Sequence, residues 1–227
     1  MKNYIKFDIH LQTIQFSTLN CFAVLIWNML FFSFQENLNS NIFLSHFGWP
    51  VRIDLTEDDR EQFILDNQWA FKYGALQEFG ERDNHIDDDG EIISRKTIER
   101  CIDAPDSETY RIVLDDRNVG GVILKINKET NVNELEILFV SPEEHTKGIG
   151  YGAWLAVEEL HPETKVWETC TPYFEKRNIH FYVNKCGFKI DEFWCEYFQP
   201  DRPMPDDEEH DEGEGPDVMF HFVKVIK

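Results

Sequence analysis

Residues 140–152 read Val-Ser-Pro-Glu-Glu-His-Thr-Lys-Gly-Ile-Gly-Tyr-Gly, and they join two different periodicities. Before them, Glu134 to Val140 is a short run dense in Leu, Ile, Phe and Val, which reads as a strand. After them, Ala153, Ala156, Val157 and Leu160 fall at i, i+3, i+4 and i+7, the spacing of one helix face. A strand therefore passes through a glycine-punctuated turn directly into a helix. Gly148 and Gly150 let the main chain approach a ligand closely, and the first amides of a helix have no intrahelical acceptor. With the helix dipole and the charge of Lys147, the turn is suited to an anion such as phosphate. It is neither standard nucleotide loop. The P-loop needs four residues between Gly and Gly-Lys-Ser/Thr, and the dinucleotide fingerprint opens a parallel unit, whereas this turn follows an antiparallel meander.

That meander is read from three strand candidates, Tyr110 to Asp115, Gly120 to Asn127 and Glu134 to Val140. They are separated by turn-forming Asp115-Asp116-Arg117-Asn118 and Lys128-Glu129-Thr130-Asn131. Upstream, Val51 to Leu55 reads as a strand, and Thr56 with Glu57, Asp58 and Asp59 starts a helix running to about Tyr73. A second helix is expected from Ser94 to about Cys101. Downstream, Val166 to Thr171 reads as a strand, and Ile179, Tyr182, Val183 and Cys186 repeat the helical spacing. Phe188 to Phe198 and Val218 to Ile226 close the chain as aromatic-rich strands. The expectation is one α/β domain on a mixed sheet.

Only four charged side chains, Lys2, Lys6, Asp8 and Glu36, fall in residues 1–50, and the composition shifts at Pro50. The longest apolar run there, Cys21 to Phe34, is interrupted by Asn28 and Ser33 and is shorter than the ~20 residues a spanning helix needs. It begins too late and lacks the cleavage site of a secretory signal. The expected division is a hydrophobic, low-charge extension over 1–50 and a folded domain over 51–227. One reading starts the biological chain at Val51, read from a GTG codon; another makes residues 1–50 a partner-binding or membrane-associated arm.

A net charge of -21, from 22 Lys and Arg against 43 Asp and Glu, argues against a nucleic-acid or anionic-membrane surface and favours cationic small partners. The five cysteines are an odd number, widely spaced, without a C-x-x-C pair, and imply a reducing, cytoplasmic compartment. The acid-rich stretch Gly80 to Gly90 lacks the spacing of a calcium loop and reads as solvated, as does the acid and proline loop Pro200 to Asp217. No metal cluster is expected.

His145-Thr-Lys-Gly148-Ile-Gly150 resembles the Q/R-x-x-G-x-G/A pyrophosphate loop of the GNAT acetyltransferase superfamily, which follows a strand ending in an apolar-Val-x-Pro step. In the right order downstream, the run Phe181-Tyr-Val-Asn-Lys-Cys-Gly187-Phe188 resembles the family's F-Y-x-x-x-G-F signature. The resemblance covers Val51 to Ile226 in element order, with specific motifs between Glu134 and Phe188. It implies a mainly antiparallel, mixed central sheet flanked by helices, with splayed fourth and fifth strands. In that gap Leu138, Phe139 and Val140 would face the pantetheine arm of acetyl-coenzyme A, the acyl donor. The amides of Thr146, Lys147, Gly148, Ile149, Gly150 and Tyr151 would hold its pyrophosphate. Two departures stand out: His145 replaces the usual Gln or Arg, and Glu175 stands where the family commonly has Asn, with Asn178 nearer Tyr182.

By the same resemblance, Tyr182 is the general acid for the leaving thiolate, and Glu136 is the base that deprotonates the amine. Each has a plainer reading. Tyr182 also fits an apolar face with Ile179, Val183 and Cys186, and Glu136 fits a solvated strand face if Leu135, Ile137 and Phe139 alternate inward. A carboxylate inside an apolar strand is expected to have a raised pKa. The amide around Val140 is the expected oxyanion donor, and His180 reads as a surface residue. The implied reaction is acetyl transfer to a primary amine, small or peptidic, by direct attack in a ternary complex. The competing reading is a GNAT-like module that binds acyl-coenzyme A as a sensor without turnover. The aromatic last strands hint at a homodimer surface.

Overall fold

The computed structural model describes residues 55–79, 90–145, 148–198 and 218–227, with the main chain alone at 42–44, 50–52 and 77–79. Residues 1–41, 45–49, 53–54, 80–89, 146–147 and 199–217 lie outside the described residues, and with them most of the expected 1–50 extension and the two acid-rich stretches. The chain forms β1 (Ile42–Leu44), β2 (Pro50–Arg52), α1 (Glu57–Phe79), α2 (Arg95–Asp103), β3 (Ser107–Leu114), β4 (Arg117–Lys125) and β5 (Val132–Val140). Then follow α3 (Ile149–Leu160), β6 (Val166–Pro172), α4 (Lys176–His180), β7 (Lys189–Trp194) and β8 (Met219–Val225). The strands make one sheet in the order β1-β2-β3-β4-β5-β6-β8-β7. Among the described residues, only β5 and β6 pair in parallel. The mixed, mainly antiparallel sheet is the one expected.

The meander is present with a tighter first turn than the sequence suggested. Leu114 pairs with Arg117, and Asp115 and Asp116 take φ 49° and 61°. Two successive positive φ values complete a primed two-residue hairpin turn, which Asp tolerates, so Arg117 and Asn118 belong to β4. At the strand expected over Val51 to Leu55, β2 begins at Pro50 and sets Val51 opposite Ile112, while residues 53–54 lie outside the described residues. Helix α1 runs six residues beyond Tyr73, and its acidic first turn, Glu57 to Asp59, suits the dipole. The helix expected from Ser94 begins at Arg95, and Ser94 caps it, accepting the Thr97 amide at 3.0 Å.

Adjacent residues on a strand face opposite ways, and β4 shows which helices cover which face. Ile123 packs with Phe63, Ile64, Ile98, Ile137 and Phe139, so α1 and α2 cover one face. Val122 and Leu124 pack with Trp154, Trp167, Tyr182, Phe188 and Phe222, under α3 and the segment after α4. Gly121 is what brings α1 close: a Cβ there would lie 2.3 Å from the Phe63 ring and 2.6 Å from the Phe139 ring. Buried Arg111 of β3 locks the same contact, donating to Asp59 at 3.0 Å and Asp66 at 2.7 Å beneath Phe63. Removing either carboxylate weakens the compensation of a buried cation, the kind of loss that costs about 3–5 kcal/mol when a pair is broken outright.

Candidate active site

Three residue pairs join β5 to β6, Val132 with Val166, Asn133 with Trp167 and Glu134 with Glu168, and there the pairing stops. Beyond it the strands diverge into a fork, the splay that the sequence implied. The Ser141 amide turns toward β4, bonding Val119 O at 2.8 Å, so by strand alternation the amides of Val140 and Leu138 turn toward the open side. Side chains of Leu138 and Val140 pack on the α3 face, and Phe139 is buried on the α1 face. What these residues offer a ligand is a free strand edge, suited to an extended chain bearing amides.

Glu136 lies in a β-bulge. Ile123 pairs with Ile137, but Leu124 pairs with Leu135, leaving Glu136 as the extra residue. The bulge reverses the parity of β5: Leu135 packs under α3, whereas Ile137 and Phe139 pack under α1 and α2. The strict alternation of Leu135, Ile137 and Phe139 on one face does not hold for this reason. The bulge aims Glu136 at α2, where the Cys101 thiol lies 3.5 Å from Oε2. Glu134 and Glu168, adjacent across the last pair, share that face, since their strand neighbours Leu135 and Trp167 face the other way.

At the open end, Gly148 takes φ 79° as the cap of α3, a left-handed conformation suited to glycine. Gly152 makes the first helical bond, to Gly148 O at 2.9 Å, so the amides of Ile149, Gly150 and Tyr151 have no intrahelical acceptor. A Cβ at Gly150 would meet Phe181 and Val140 at an ordinary 3.6 Å, so packing does not demand glycine there. Thr146 and Lys147 lie outside the described residues. His145 turns back on the strand: its Nε2–H donates to Val140 O at 3.0 Å, and its Nδ1 accepts from Arg177 Nη2 at 3.2 Å. Burial, and then the Arg177 charge, hold its pKa below the ordinary histidine value despite the bond to Val140.

Tyr182 lies at the closed end of the fork. Its ring packs against Phe222 at 5.5 Å and Phe188 at 5.7 Å, and its hydroxyl meets the Thr169 hydroxyl. Thr169 gives its own proton to Leu135 O at 2.8 Å, so it accepts from Tyr182. Burial pushes the phenol well above its ordinary value, and it stays protonated. The nearby Cys186 thiol is pushed up to about 12 by the same burial. The Phe181 signature carries four residues between Tyr182 and Gly187, one more than F-Y-x-x-x-G-F allows. The extra residue is absorbed as a π turn over Phe181–Cys186, in which Tyr182 O accepts from the amides of Gly187 and Phe188.

Glu136 and Tyr182 thus approach the fork from opposite faces of the sheet. Sequence reasoning missed Thr169 and Arg177. The first was signalled by hydroxyls at the inward positions of Trp167-Glu-Thr169-Cys-Thr171; the second carries no local signal. His180 is exposed and bonded to Asn184 at 2.9 Å, and the Asn178 amide donates to Thr171 at 3.3 Å. Among the described residues, no group of three or more His, Cys, Asp or Glu is placed to hold a metal ion. Among them, no helix is long and apolar enough to cross a membrane.

The sequence profile of the Acetyltransferase (GNAT) family matches residues 59–188, more than half of the chain and the whole of the fork, loop and Tyr182 segment. The chain belongs to the GNAT acetyltransferase family. A curated relative, the uncharacterized protein YrkN of Bacillus subtilis (strain 168), is 42% identical over 181 residues, 75% of this chain and 90% of the relative. In fold, this GNAT chain is similar to the ribosomal-protein-S18-alanine N-acetyltransferase of Escherichia coli, with TM-score 0.52 at 11% identity over 78% of this chain and 92% of that one. A Bacillus subtilis acetyltransferase solved in complex with CoA gives TM-score 0.49 at 16% identity, covering 78% of this chain and 99% of that one.

Proposed function

We propose that this chain transfers an acetyl group from acetyl-coenzyme A to a primary amine by direct attack in a ternary complex. The observation that carries the reading is the fork itself: a strand edge at Leu138–Val140 beyond the last β6 pair, ending at the Thr169–Tyr182 hydroxyl pair and opening onto the amides of Ile149, Gly150 and Tyr151, which have no intrahelical acceptor. The residues fit the donor. Amides at the start of α3, with those of Thr146 and Lys147, hold the pyrophosphate, and the β5 edge pairs with the pantetheine amides. The donor supplies a thioester whose C–S bond breaks as the C–N bond forms.

Glu136 takes the proton from the acceptor ammonium and delivers a neutral amine to the fork from the α1 and α2 face. A main-chain amide on the open side of β5 steadies the developing oxyanion. Tyr182 gives its hydroxyl proton to the departing sulfur and regains one through solvent from the acylated nitrogen, which sheds its second proton as the amide forms, while Glu136 passes the first proton to solvent after product leaves. The acceptor is a cationic amine, small or peptidic. Glu134, Glu136 and Glu168 on one face of adjacent strands support that class, as does the acidic chain.

The test is thermal stabilisation by acetyl-coenzyme A together with thiol release on a panel of polyamines, aminoglycosides and peptide amines. At ligand ~100 times Kd the gain is about 2.7 kcal/mol, a shift of roughly 5–10 °C. Stabilisation with thiol release on one acceptor class is expected. Stabilisation without release across the panel favours the sensor reading, and no stabilisation removes the donor.

A further inference from the structure

We propose that Arg177, steered by His145, supplies a cation from α4 where the family pattern has Gln or Arg in the loop, and that its guanidinium binds the pyrophosphate of the acyl donor. The inference rests on the donor assignment above and adds a binding residue that the loop pattern does not contain. The pattern has Gln or Arg where this chain has His145, whose side chain is bonded to its own strand at Val140 O. Nδ1 then presents a lone pair, and Arg177 Nη2 donates to it at 3.2 Å. The Tyr73 ring, edge-on at 5.7 Å between centroids, packs the imidazole from α1.

The choice of partner sets Arg177 apart. Arg60, Arg95, Arg111 and Arg117 each bond a carboxylate, whereas Arg177 bonds an uncharged imidazole. Its charge is therefore held in place without being neutralised, in a chain of net charge -21. The bond takes one N–H of a planar group with five, leaving a fork that matches two phosphate oxygens. Its location agrees. Phe181, four residues on and on the same helical face, lies 3.6 Å from where a Gly150 Cβ would be, so Arg177 flanks the first turn of α3 and its unpaired amides.

The experiment is calorimetric titration of the full chain with coenzyme A and with 3′-dephospho-coenzyme A at one pH and salt concentration. Arg177→Ala is expected to weaken both ligands by about tenfold or more, the effect of a lost charge-assisted bond, with the melting temperature of the ligand-free protein unchanged. Returning the charge to the loop, as His145→Arg in the Arg177→Ala background, is expected to restore most of the affinity. Unchanged binding by Arg177→Ala, a loss confined to the ligand carrying the 3′-phosphate, or no recovery on relocating the arginine each overturns the proposal. Wild-type protein is titrated first: if it binds neither ligand, the donor assignment itself has failed, a result distinct from any of these.

Discussion

Thr169 donates its hydroxyl proton to Leu135 O at 2.8 Å, one residue beyond the last pair that joins β5 to β6. The bond closes the fork with a side chain where the main-chain ladder ends, and it makes Thr169 the acceptor for Tyr182. Thr169→Val keeps the shape and leaves both Leu135 O and the phenol without this partner in a buried setting. The expected loss is about 1–3 kcal/mol in urea unfolding, with a slower enzyme. Wild-type stability and rate in this variant would mean that the fork is closed by the ladder alone.

Tyr182→Phe separates packing from chemistry. The ring contacts with Phe188 and Phe222 survive, so coenzyme A affinity should stay within a factor of about two. Turnover should fall ~10²-fold or more, the usual range for a lost general acid. A rate unchanged by the substitution would return Tyr182 to the apolar core.

Glu136→Gln keeps the bulge and the approach of Cys101 but removes the proposed base. The acceptor must then lose its proton to solvent, so activity at neutral pH should drop about 10²-fold and the pH–rate profile should move toward the amine's own pKa. A profile of unchanged shape would assign the proton transfer elsewhere, with Glu168 as the neighbour to examine.

His145 makes the ligand-free protein pH-sensitive in a defined window. Its pKa in the fold lies below the ordinary ~6.5, so near that pH the unfolded chain binds more protons, and stability rises with pH. Stability is whole above the ordinary value and is lost as pH falls toward the folded value, where the slope ends. The groups around the ring are Arg177, Tyr73 and Val140 O, with Glu144, adjacent in sequence, paired to Arg117 at 3.3 Å. Melting curves of wild type and His145→Gln should diverge on acidification through this window, wild type losing more. Parallel curves would mean that His145 carries no net shift.

The strand, glycine turn and helix at Val140 to Leu160 were legible because the period changes there, and the meander because turn residues punctuate it. The bulge at Glu136 was not, since it depends on how β4 registers against β5, and Leu135 and Ile137 look equivalent in one strand read alone. The match to the F-Y-x-x-x-G-F signature passes over one extra residue before Gly187, and nothing in the spacing says how the chain absorbs it. Thr169 was hidden by its type, a small hydroxyl at a position that packing also explains. The bond between His145 and Arg177 spans 32 residues and could come only from the fold.

The central claim is that acetyl-coenzyme A lies in the fork along β5. Residue-resolved amide hydrogen exchange, with and without saturating ligand, tests it most directly at Leu138 and Val140, whose amides face the open side. The account predicts that both slow on binding, with Gly150 and Tyr151 slowing in parallel. Bound ligand with unchanged exchange at Leu138 and Val140 would contradict it and place the donor outside the fork.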